Sequence, residues 1–98
     1  MGQSLSSTRF LIERRMRDAA HGDGDACYDL GVFYSTGTSG VGIDLIEAHK
    51  WFNIAATSGL PAAQQARADI AEDMTAREIA AAQRAARAWI VQTQARAG

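Results

Sequence analysis

The chain has 98 residues, 47% of them hydrophobic, one cysteine and a net charge of −1. That length supports one small core rather than two. The near-neutral charge argues against general attraction to nucleic acid or a membrane surface, and a lone cysteine excludes an internal disulfide. Much of the apolar share is alanine, which packs closely but buries little area. The few large residues, Trp51, Trp89, Phe10, Phe33, Phe52, Tyr28 and Tyr34, must therefore carry the core.

Residues 1–6 read as a flexible polar leader. The run Met1-Gly2-Gln3-Ser4-Leu5-Ser6 also fits the loose N-myristoylation pattern. That modification needs a eukaryotic host, whereas the alanine- and arginine-rich composition points to a bacterial one. No apolar run has the length of a signal-peptide core or a membrane span, so a cytoplasmic location is expected. Ser7 or Thr8 caps a first helix running to about His21, with Leu11, Ile12, Met16, Ala19 and Ala20 on its apolar face. Gly22-Asp23-Gly24 breaks that helix. A second helix spans about Asp25 to Ser35, and the glycines of Thr36 to Ile43 mark a loop.

Asp44-Leu45-Ile46-Glu47 is a variant capping box: Asp44 caps the Glu47 amide and Glu47 reaches back to the Asp44 amide. It opens a third helix that ends at Gly59. Pro61 suits the first turn of a fourth, over about Pro61 to Glu72. Thr75-Ala76-Arg77-Glu78 is a second capping box, opening a last helix over about 75–93. Ile79, Ala82, Ala86, Trp89, Ile90 and Thr93 share one side of it, and Trp89 is placed to cover the apolar edge of the fourth helix.

Internal repetition is visible at this point. Ala19-Ala20-His21-Gly22-Asp23-Gly24-Asp25-Ala26 parallels Ala55-Ala56-Thr57-Ser58-Gly59-Leu60-Pro61-Ala62-Ala63, and the Ala-Ala pairs lie 36 residues apart, a period typical of helical solenoids. Between the two pairs stand Ala26, Leu30-Gly31, Tyr34, Gly37, Gly40-Val41-Gly42, Asp44, Ala48 and Trp51-Phe52, and Gly59 follows the second pair. Small residues fall where two helices touch, and aromatics where the groove between them needs filling. This pattern resembles one complete Sel1-like repeat, the helix–turn–helix unit related to tetratricopeptide repeats. Thr38-Ser39 lengthens the family's loop. Arg67-Ala68-Asp69-Ile70 stands where the next unit would carry its Leu-Gly-x-x-Tyr signature, as suits a polar terminal cap.

The resemblance implies an all-α fold: a short right-handed superhelix of about five helices over residues 7–95. The full repeat covers about 25–60, between a preceding half unit and a following one, and the array is closed by the helix at 75–93. It also implies a protein–protein interaction module, a small adaptor or regulatory subunit. In such repeats the first helix of each pair lines a concave surface. Carried over, this makes Tyr28, Asp29, Val32, Phe33 and Ser35 candidate partner-binding residues, with Arg67 and Ile70 beside them.

Chemistry-bearing constellations are sparse. His21, His49 and Cys27 lack metal-ligand spacing, and His49 is expected on a partly exposed side of its helix. Gly37, Gly40 and Gly42 are turn residues in no phosphate-loop order. No catalytic residue, metal or cofactor is expected, so the chain reads as a non-enzyme. Arg9, Arg14, Arg15 and Arg17 crowd the first helix, while Asp23, Asp25, Asp29, Asp44 and Glu47 make the centre acidic. Neighbouring helices can satisfy these charges mutually. Alternatively, they form an acidic groove for a basic peptide or a basic edge for an acidic partner. Two other functions stay open: self-assembly through the ends of a short array, and contact of the arginine-rich first helix with RNA or anionic lipid.

Overall fold

The computed structural model describes residues 2–38 and 40–97. The chain is all-α, with five helices: α1 (Gly2–Ala20), α2 (Gly24–Thr36), α3 (Leu45–Thr57), α4 (Pro61–Ala71) and α5 (Ala76–Ala97). No helix is long and apolar enough to cross a membrane among the described residues.

α1 differs from expectation at its start. Its backbone is helical from Gly2, so residues 2–6 continue the helix instead of forming a leader, and Ser7 and Thr8 lie inside it. Nothing between Gln3 and Thr8 breaks a helix: there is no proline and no further glycine. Met1, the remaining leader position, lies outside the described residues.

The other ends follow local chemistry. Asp23, read from sequence as part of a breaker, is the N-cap of α2, its carboxylate accepting from the amides of Asp25 and Ala26 at 3.0 and 3.3 Å. Gly37 closes α2 in the left-handed region, φ 72°, and its N–H donates to the Phe33 carbonyl, a geometry that favours glycine. The box at α5 is complete. The Thr75 amide donates to Glu78 Oε1 at 2.8 Å and the Glu78 amide to Thr75 Oγ1 at 3.1 Å. The box at α3 is only half made. Asp44 accepts from the Glu47 amide at 3.1 Å, but Glu47 does not reach back; its carboxylate accepts the Trp51 indole N–H at 3.1 Å and pairs with Lys50 at 3.4 Å.

α3 is the hub. It packs against α2, α4 and α5, while α1 packs on α2. The reason lies in its sequence. Ala48, His49, Trp51, Phe52, Ile54, Ala55 and Ala56 are all buried, and at 100° per residue they cover more than half the circumference. A helix apolar over that arc needs more than one neighbour. Two expectations change with it. His49 is enclosed, 3% exposed, instead of facing solvent. Trp89 meets Trp51 of α3, so α5 closes onto the hub and not chiefly onto α4.

The α2–α3 contact is set by Gly31. A Cβ there would lie 2.5 Å from two ring carbons of Phe52, so only glycine lets the ring seat on the α2 backbone. Leu30 and Ala55 are fully buried. One cluster drawn from all five helices, including Ala19, Cys27, Trp51, Ala63 and Ala86, forms the core. The molecule measures 38 × 36 × 22 Å, about two helix diameters in its thin direction.

Candidate functional site

Two surfaces have the shape or composition of a binding site. The first is the outward strip of α2. Tyr28, Asp29, Val32, Phe33 and Ser35 are each half-buried: Tyr28, Val32 and Ser35 lie on the side opposite fully buried Leu30, Asp29 lies at its flank, and Phe33, three residues on from Leu30, shares the Leu30 side and packs against the core. Each is partly committed within the fold. The Tyr28 ring lies 5.5 Å from that of Phe52, tilted by 50°. Asp29 accepts from Arg15 Nε at 2.9 Å, and Arg15 also pairs with Asp18 at 3.5 Å. Ser35 donates to the Val32 carbonyl. Thus α1's arginine and α2's aspartate do satisfy one another across the helix pair, at one position.

Arg67 and Ile70 stand apart on α4, both half-buried, and α4 packs on α3. Arg67 donates to the Asn53 side chain of α3. The seven residues therefore form a group of five on α2 and a pair on α4. They are joined through consecutive α3 residues, Phe52 against Tyr28 and Asn53 against Arg67. The physical reason is α3's broad apolar arc, which takes α2 and α4 as separate neighbours.

The second surface is a half-open cleft of about 660 Å³. α1 docks on α2 and α5 on α3, and the two outer helices do not pack extensively on each other. The gap they leave has Cys27 of α2 and Ile54 of α3 at its base, the α1 end from Ala19 to Gly22 as one wall, and Trp89, Ile90, Thr93 and Gln94 of α5 as the other. Nothing in sequence order marks these residues as a set. The only local trace is Ala19-Ala20 followed by Gly22, a run of small side chains that leaves volume unfilled where α1 ends.

The chemistry-bearing side chains are distributed between the cleft and the core. Cys27 is 2% exposed, and burial, helped by the nearby Asp23 carboxylate, pushes its thiol up to about 11. That is the opposite of the electropositive setting that activates a thiol. His21 is exposed on the cleft rim. His49 lies in the core with no hydrogen-bond partner for Nδ1 among the described residues. Burial, and secondarily the Arg67 guanidinium, holds its pKa below the ordinary value.

Lys50 Nζ lies 4.5 Å from the Trp51 ring centroid and 5.6 Å from that of Trp89. With Glu47 this makes a closed charge–aromatic cluster. The lysine already occupies it, so it is a joint between α3 and α5 and not a vacant cage.

No family profile, no curated protein and no solved structure matches this chain.

Proposed function

We propose that this chain is a protein–protein interaction module of the Sel1-like helical-repeat type, a small cytoplasmic adaptor or regulatory subunit that works by binding and not by catalysis. The observation that carries this reading is the strip on α2. Two aromatic residues, a valine and a carboxylate are held half-exposed on a helix braced from both sides, by α1 through Arg15 and by α3 through Phe52. Half-exposed aromatics on a rigid support are the anchors that dominate protein interfaces, because little conformational freedom is lost when they dock. The Asp29 carboxylate supplies orientation and on-rate toward a basic segment.

A photo-crosslinking amino acid at Val32 tests this. Crosslinking in host cells is expected to join Val32 to one dominant protein, while the same group at exposed Gln83 on α5 does not. Equal, diffuse labelling from both positions would sink the reading.

A second reading, self-assembly, is favoured by the exposed Phe10 on α1 and Val91 on α5, 57% and 65% accessible on the outer helices. Sedimentation over a range of concentrations separates the two. A monomer throughout leaves the adaptor reading alone.

A further inference from the structure

We propose that the cleft between α1 and α5 is a binding site for a small neutral molecule with a flat, apolar body and one polar end. The cleft is separate from the α2 strip, and nothing in the preceding proposal depends on it.

The volume, about 660 Å³, lies within the ~300–1,000 Å³ typical of small-molecule sites. Its composition selects the ligand. Over a fifth of the chain's residues are charged, yet among the residues whose side chains are described, 9–38 and 40–95, no Asp, Glu, Lys or Arg lines the cleft. A charged ligand entering it would shed water with no counter-ion among these lining side chains to receive it. The deepest residues, Ala19, Cys27 and Ile54, are 4%, 2% and 7% exposed and offer only apolar surface and a thiol, which burial keeps protonated at neutral pH. Water held against such a base has few hydrogen-bond partners, so a ligand that displaces it gains affinity.

The walls add shape and direction. Trp89 stands in the α5 wall of the gap, its ring held by contact with Trp51. A planar apolar body packs against a side chain held in place at little entropic cost. The single Thr93 hydroxyl hydrogen is already shared between the carbonyls of Trp89 and Ile90, so Thr93 can only accept from a ligand. The side chains left to donate to a polar end are His21, Ser58 and Gln94, all exposed at the mouth. The ligand therefore enters apolar end first, with its polar end at the rim.

The probe is N-phenyl-1-naphthylamine, a neutral aromatic fluorophore, titrated into the full chain. The expected result is saturable emission at one equivalent, with energy transfer from tryptophan. Ala20→Phe fills the cleft from the α1 wall and Thr93→Phe from the α5 wall; each is expected to weaken binding tenfold or more. Ala62→Phe, exposed on α4 away from the cleft, is expected to bind like the unmodified chain. 1-Anilinonaphthalene-8-sulfonate, a similar ring system carrying a negative charge, is expected to bind at least tenfold more weakly. Absence of saturable binding, equal binding by both wall variants, or equal affinity for the sulfonate would each overturn the proposal. Should both wall variants unfold by circular dichroism, amide and indole shifts of the unmodified chain decide. Probe-induced changes centred on Gly22, Trp89 and Thr93 uphold the site, and changes centred elsewhere overturn it. Concentration-dependent dimerisation that competes with the probe would show that a second copy fills the cleft, and would overturn it as well.

Discussion

The indole of Trp89 meets that of Trp51 nearly edge-on, with centroids 4.9 Å apart and planes 72° apart. This pair joins the last helix to the hub, and Lys50 lies against both rings. Trp51 is 1% exposed and Trp89 half-buried, so their truncations should differ. Trp51→Ala should cost roughly 3–5 kcal/mol, and at roughly 4–8 °C per kcal/mol for a domain this size it should lower the melting temperature by more than ~10 °C. Trp89→Ala should cost about 2 kcal/mol. Thermal melts by circular dichroism check both, and the reverse order would mean that α5 is held by other contacts.

Gly31→Ala tests the closest helix approach. In an exposed helix interior this change stabilises by up to about 1 kcal/mol. Here the added Cβ would stand 2.5 Å from the Phe52 ring, so overpacking should dominate and cost about 1–3 kcal/mol. Phe52→Leu in the same chain should recover part of the loss, because the smaller side chain frees the space. Urea unfolding of the single and double variants reads the sign.

His49 should make stability fall on mild acidification. Its folded-state pKa lies below the ordinary value of 6.5, chiefly through burial and secondarily through Arg67. The unfolded chain therefore binds the proton more readily. Stability is fully present above about pH 6.5 and declines as pH falls from there toward the lowered folded-state value. His49→Gln should flatten this slope between pH 7.5 and 5. Arg67→Gln should reduce it only in part, since burial is the larger cause. Urea midpoints across that interval are the measurement, and a His49→Gln slope equal to that of the unmodified chain would assign the pH dependence elsewhere.

Cys27 should be nearly inert in the native state. With the thiol buried and its pKa pushed up to about 11, almost no thiolate exists at pH 8. Ellman's reagent is expected to react only as fast as the chain opens, and at once in denaturant. Rapid native reaction would mean that α1 and α2 separate readily.

The Arg15–Asp29 pair should contribute little to stability. The two side chains are 30% and 42% exposed, and pairs this accessible contribute about 0.2–1 kcal/mol. A double-mutant cycle with Arg15→Ala and Asp29→Ala should give a coupling within that range, shrinking in high salt. Asp29→Arg is a different experiment, because it sets two guanidinium groups side by side between α1 and α2.

The amino-acid sequence by itself determined the features that arise within a few residues of one another. Thr75 and Glu78 exchange their hydrogen bonds across one helical turn, Pro61 opens α4, and the small residues Ala26, Gly31, Ala48 and Ala55 all lie in the core. Each follows from backbone geometry and side-chain size, which the local sequence specifies. What only the tertiary structure decided involves partners far apart along the chain. Glu47 has the right spacing to complete a capping box, but Trp51 and Lys50 draw its carboxylate away. His49 is polar and is expected on a partly exposed side of α3, yet it is enclosed once α3 acquires three neighbours. The cleft is the clearest case. It exists because α1 and α5, separated by more than fifty residues, dock on different helices of one hairpin and leave the space between them unfilled. Periodicity along a chain records which side of a helix is buried, but not which distant helix buries it, nor where two of them fail to meet.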